Sequence, residues 1–158
     1  MKRLTEEEVQ IEVSKFKFVT HDQVKFHEVD SFGVVHNIQY FYFFEWARTK
    51  YLEWVGFPLN HRTFTAEHPI MTVHHEMDYF NPLYFTSEYE ILTRVRVIKN
   101  SSLVMDNIIR NLDGKISAKA SVTLVYMSNE DYKPTRIPDV HRDMIIQMEG
   151  DDIEVIDK

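Results

Sequence analysis

The residues best suited to chemistry in this 158-residue chain fall in one segment, FHEVDSFGVVHNIQYFYFFEWAR (26–48). Asp30 precedes Gly33, and the chain then enters a run dense in aromatic rings. An ionised carboxylate can act as a general base toward water or as a nucleophile toward a carbonyl. The unpaired N–H groups at a helix start, with the helix dipole behind them, can hold the oxyanion that either attack creates. The same aspartate would also serve as a loop or cap residue, so the segment alone leaves both readings open. Gly33 would let the loop pass close to a substrate with no side chain in the way.

The surrounding elements must position these groups. Residues 38–55 contain no Pro or Gly, and Gly56 and Pro58 follow as stop signals. That predicts a helix about 27 Å long. Its rings fall on most sides, which predicts burial nearly all round. Residues 15–26 alternate as a half-buried strand does. Past Pro69, residues 70–80 would place Met71, Val73, His75, Met77 and Tyr79 on one face. Further strands are predicted over 87–99, 102–111 and 115–128, with Asp113-Gly114 supplying a tight turn. Val140–Met148 reads as a helix opened by Pro138. Thr5 and Glu8 have capping-box spacing, so residues 1–10 should hold a short helical turn. The acidic tail EGDDIEVIDK should fray. One long helix against a continuous antiparallel sheet that curls around it is an α+β architecture. Residues 1–158 are expected to form one domain, with roughly the first 14 and last 10 residues peripheral.

Composition narrows the chemistry. Hydrophobic residues at 44% and charged residues at 27% are ordinary globular usage. A net charge of −7 disfavours nonspecific binding to nucleic acid or to an anionic membrane. With no cysteine, disulfides and thiolate catalysis are excluded. The N-terminal segment has no signal-peptide pattern, and charges interrupt every long apolar window, so a soluble, cytoplasmic protein is expected. No metal site is expected. His74 and His75 are adjacent on a strand and point apart, His61 and His68 sit in a polar connector, and no HExxH spacing occurs. Glu45 and Arg48 have the spacing to pair on one helix face. His36 is near enough in sequence to orient Asp30 or a water.

The run from Asp30 to Tyr40, followed by Phe44-Glu45-Trp46-Ala47-Arg48, resembles the signature of the 4-hydroxybenzoyl-CoA thioesterase family of hot-dog proteins. Tyr79-Phe80-Asn81-Pro82 is similar to that family's Tyr-x-x-Pro, and the similarity covers residues 15–140. The chain departs from the pattern at Glu28, His36, Asn37 and Gln39, where Asp, Tyr, His and Asn are usual. The resemblance implies a hot-dog fold and hydrolysis of an acyl-CoA to free acid and CoA. It implies Asp30 as base or nucleophile and the backbone N–H of Asn37 as oxyanion donor, with Gly33 in the loop between. It needs no cofactor, CoA being part of the substrate. The CoA phosphates would be met by Lys99, Ser101 and Ser102 at a strand end, and by Lys133 and Arg136 ahead of the terminal helix. Tyr40, Phe41, Phe43 or Phe44 would be candidates for the pocket wall, with core packing the favoured job for each. The resemblance also implies a homodimer or homotetramer with sheets paired edge to edge, which suits a sheet whose open edge is a liability. Two other readings stand: a thioesterase acting on acyl carrier protein, whose acidic surface a −7 chain does not obviously attract, and a noncatalytic acyl-CoA binder. A hot-dog dehydratase would need a His-Pro-Gly arrangement that this chain lacks.

Overall fold

A capping box opens the first helix, as the Thr5–Glu8 spacing predicts. Glu8 N–H donates to the Thr5 hydroxyl (3.2 Å), and Thr5 N–H donates to the Glu8 carboxylate (2.8 Å), at the start of α1 (Glu6–Glu12). The computed structural model describes residues 4–57, 59 and 69–157. Pro58, His61 and His68 lie outside the described residues. After α1 come β1 (Phe18–Gln23), α2 (Asn37–Trp54), β2 (Ile70–Tyr79), β3 (Glu88–Ile98), β4 (Ser102–Asn111), β5 (Ile116–Tyr126), α3 (Asp139–Glu149) and β6 (Glu154–Val155).

The sheet order is β1-β3-β4-β5-β2, antiparallel throughout, with α2 laid across its inner face. Period-two alternation sorts the side chains of the central strands. Ile91, Ile109 and Ala118 pack with Phe43, Phe44 and Ala47 of α2, while Val95, Met105 and Leu124 pack with Tyr51, Leu52 and Val55. On the opposite face, Leu92, Ile108 and Ile116 meet Val9 and Phe16. Each fully buried Val, Ile, Phe or Met among them contributes about 1.5–3 kcal/mol.

Four expectations change. β1 is shorter than the alternation over 15–26 predicts, because Lys25 N–H bonds the Glu28 carboxylate (2.7 Å) and closes a 3-10 turn. The alternation of β2 breaks at Val73, where a bulge sits between Thr72 and His74. Met71 and Val73 are therefore exposed, while Ile70 and Met77 pack against the core. The central helix is not buried all round in one chain: Ile38, Phe41, Tyr42 and Trp46 are 51%, 42%, 61% and 40% exposed. The sheet covers only one side of α2. The acidic tail does not fray. Val97 and Ile98 of β3 pair in parallel with β6, beyond the register of β1, and Ile156 N–H bonds Ile98 O (2.9 Å).

Candidate active site

The aspartate sits in a pinned turn. Gly33 N–H bonds Asp30 O (3.0 Å), Asp30 N–H bonds Val34 O (2.9 Å), and Val29 bridges Val35. Asp30 Oδ1 accepts Phe32 N–H (2.8 Å), the habit of an aspartate at the first position of a turn. Among the described residues its other oxygen, Oδ2, has no hydrogen-bond partner. Gly33 has φ +74°, yet a Cβ placed there would meet nothing within 4 Å. The positive φ is one that glycine adopts without strain. The loop is tied down by Val35 N–H to Leu83 O (2.8 Å), Phe85 N–H to Gly33 O (3.0 Å) and His36 N–H to Glu28 O (2.9 Å).

The helix begins where the loop ends. His36 is the N-cap, and its Nδ1 accepts Ile38 N–H (3.3 Å). That engages one ring nitrogen of His36 as the helix cap. Asn37 is the first helical residue, and its N–H has no acceptor among the described residues, as expected for a first-turn donor. The Tyr79 hydroxyl donates to Asn37 O (3.3 Å), joining the helix start to the edge strand β2. Tyr40, a candidate for the pocket wall, is only 3% exposed and packs in the core against Phe43 and Tyr79. Burial pushes its hydroxyl up to about 12, against the pull of a backbone hydrogen bond at Leu83. On the β1 flank of α2 a cavity of about 300 Å³ opens between Glu28, Gln39, Tyr42 and Trp46. Glu28, one of the departures from the family signature, is a buried carboxylate there.

The residues expected to meet the CoA phosphates do not join this group. Lys99, Ser101 and Ser102 form the β3–β4 turn, where Lys99 N–H bonds Ser102 O (2.7 Å). Arg136 reaches that turn through Asn100 Oδ1 (2.8 Å) and also holds Asp139 (2.7 Å), while Lys133 holds Asp131 (3.0 Å). This cluster lies at the Ile98 end of β3, whereas the Asp30 loop lies beyond its Glu88 end. At ~3.4 Å per residue the two ends are roughly 34 Å apart. One chain cannot bring both to one CoA.

Two groups that sequence reasoning set aside prove unusual. Glu45 is exposed and forms no ion pair within 4 Å with Arg48 among the described residues. Arg48 is 8% exposed, and its Nη1 has no hydrogen-bond partner among the described residues. His75 Nε2 is likewise buried and unpartnered, with its ring edge-on to Phe41 at 4.6 Å. Burial, then the charge of Arg48, then His74, hold His75 below the ordinary histidine value. His74 faces the other way and lies 3.6 Å from Glu76. No group of three metal-ligating side chains occurs among the described residues, and no described helix is long and apolar enough to cross a membrane. Arg48 closes the Phe44–Arg48 run that resembles the family signature, whereas His75 has no sequence signal beyond a polar ring on a strand face.

The model of the thioesterase-like superfamily matches residues 24–145. The chain belongs to this superfamily. It is a thioester hydrolase with the hot-dog fold, and acyl-CoA thioesters are the general class on which such enzymes act. The Bacillus subtilis protein YsmA is 24% identical over 133 residues, covering 84% of this chain and 88% of YsmA. The structure of Slr0204, a 1,4-dihydroxy-2-naphthoyl-CoA thioesterase from Synechocystis, superposes with TM-score 0.74 at 19% identity, covering 81% of this chain and 94% of that one. A thioesterase from Thermus thermophilus, crystallised with coenzyme A and Zn, gives TM-score 0.75 at 25% identity, covering 86% and 96%.

Proposed function

We propose that this hydrolase cleaves acyl-CoA with Asp30 as general base or nucleophile and the Asn37 N–H as oxyanion donor. The observation that carries the reading is the pairing of two unengaged groups on one pinned segment: Asp30 Oδ2 and the Asn37 N–H. As base, Asp30 takes a proton from water as the water oxygen bonds to the thioester carbon. The carbonyl oxygen becomes an oxyanion against Asn37 N–H, and collapse expels the CoA sulfur, which takes up the proton. As nucleophile, the carboxylate bonds the carbon itself, the oxyanion collapses with cleavage of the C–S bond, the departing CoA sulfur takes a proton from solvent, and water then cleaves the resulting anhydride to free acid and restores Asp30. The turn that holds Oδ1 leaves Oδ2 available for either role.

The working unit in this reading is a homodimer, alone or within a tetramer. β2 is an edge strand, and antiparallel pairing with β2 of a second copy reverses the ends of one sheet relative to the other. The far-end cluster of one copy then approaches the catalytic loop of its partner, where Lys99, Ser101, Ser102, Lys133 and Arg136 could meet the CoA phosphates. Their present partners are exposed surface groups, and such pairs are weak enough for a phosphate to displace.

The test is thiol release from a panel of short, long and aromatic acyl-CoAs by wild type and Asp30→Asn. The asparagine keeps an acceptor for Phe32 N–H, so the turn survives and only the charge is lost. A fall in kcat of about 100- to 10,000-fold is expected. Full activity in the variant would remove Asp30 from the chemistry. Tight acyl-CoA binding by wild type without turnover would favour the noncatalytic reading.

A further inference from the structure

Arg48 is the least accounted-for group in the molecule. It lies on the buried side of α2 beside Phe44, Ala47, Tyr51 and Leu52, with a guanidinium N–H that meets no acceptor among the described residues. A buried charge with an unmade hydrogen bond is costly, and native folds retain few of them. His75 adds a second orphaned ring nitrogen from the facing edge strand, close enough for the Arg48 charge to act on it. The His75 ring packs on Phe41 of α2 at 4.6 Å, and Arg48 follows Phe41 by seven residues on the same helix face, so both groups lie along the seam between α2 and β2.

We propose that Arg48 and His75 bind an anionic group at the distal end of the acyl chain, so that favoured substrates are acyl-CoAs ending in a carboxylate. The proposal rests on the thioesterase reading and names its substrate class. Charge balance supports a carboxylate over a phosphate: a neutral imidazole beside one guanidinium offers a single positive charge, and planar guanidinium donors match a planar carboxylate. Position supports it too. Arg48 follows Asn37 by about 16 Å along the helix axis. Its side chain leans back toward the helix start, which leaves about 10 Å between the anion and the oxyanion donor. A medium-length acyl chain spans that gap along α2 past Phe41, whose ring packs edge-on to His75 at 4.6 Å.

The test is calorimetric titration of the full chain carrying Asp30→Asn with a matched pair, suberoyl-CoA and octanoyl-CoA, which share a carbon count and differ in the terminal carboxylate. Suberoyl-CoA should bind tighter by about ten- to a hundredfold, the usual worth of a hydrogen bond to a charged group. Adding Arg48→Met should bring the ratio near one through loss of suberoyl-CoA binding, with octanoyl-CoA held. If that variant fails to fold, the ratio in the Arg48-bearing protein still decides. Equal binding, or a preference for octanoyl-CoA, overturns the proposal. Equal binding together with hydrolysis of octanoyl-CoA by wild type would leave the thioesterase reading standing without this one. Selective suberoyl-CoA binding with no hydrolysis of any acyl-CoA would do the reverse. A ratio near one in both proteins, with monomers formed only by Arg48→Met, would assign Arg48 to the contact between copies and overturn the proposal.

Discussion

The two ends of the sheet are built from the same strands but differ in whether their open polar groups can be reached from solvent. At the far end, cations hold carboxylates: Arg142 with Asp157, Arg136 with Asp139, Lys133 with Asp131. Glu149 is buried there and accepts from the Tyr51 hydroxyl and from Val95 N–H (2.8 Å). At the near end, Asp30 Oδ2 and Asn37 N–H have no partner among the described residues. The far end is held mostly by paired charges, with Glu149 Oε2 left buried and unpartnered among the described residues, whereas the open groups of the near end lie within reach of a substrate.

The sharpest way to break this comparison is to separate the two ends onto different chains. Asp30→Asn disables the near end, and Lys99→Glu with Arg136→Glu repels phosphate at the far end. If each site draws on both copies, co-expressing the two variants with distinct tags should give heterodimers whose activity exceeds either homodimer by orders of magnitude, read as thiol release. No gain over the two parents would confine each site to one chain.

Next in size is the removal of one hydroxyl from the far end. Tyr51 is fully buried, and Tyr51→Phe withdraws a donor from a buried carboxylate. A loss of about 1–3 kcal/mol in urea unfolding is expected. Thiol release should hold, since Tyr51 lies near the other end of α2. Lost activity with unchanged stability would contradict the division of labour between the ends.

A smaller effect concerns pH. Burial, outweighing its hydrogen bonds and the nearby Lys17 and Arg94, raises Glu149 above its ordinary 4.5. A raised carboxyl favours the folded state fully below that ordinary value, and the contribution fades as pH rises through the folded-state value. Thermal unfolding of wild type and Glu149→Gln should therefore diverge as pH rises from 4.5, with wild type losing stability relative to the glutamine variant. Parallel melting curves across that range would show that the carboxyl titrates as it does in the unfolded chain.

Legibility followed how local each cause was. Thr5 with Glu8 closes a cap within one turn, and Gly114 takes φ +84° at its hairpin, so α1 and the β4–β5 turn were readable. The end of β1 was not, because it depends on the Glu28 side chain reaching back to Lys25 N–H. The bulge at Val73 leaves no mark, since the alternation of residue types runs on unbroken through it. At the site, Asp30 and Asn37 were found by motif resemblance. The separation of Lys99 from Asp30 follows from strand direction and length, which a list of residues does not display. Arg48 was visible as part of the signature, but its unmade hydrogen bond and that of His75 were not, because such a vacancy belongs to the fold and not to either residue.

Glu149 also bears on the order of folding. Its side chain meets Tyr51 across 98 positions and Val95 across 54, and its carbonyl receives Lys17 across 132. The β3–β4–β5 hairpins close over short loops and can form early, whereas contacts this distant wait on the slow search of a long chain. One carboxyl therefore acts as a late clasp, drawing the first strand, the central helix and the last helix together after the sheet exists. The region around α3 should be among the last to gain protection from hydrogen exchange during refolding.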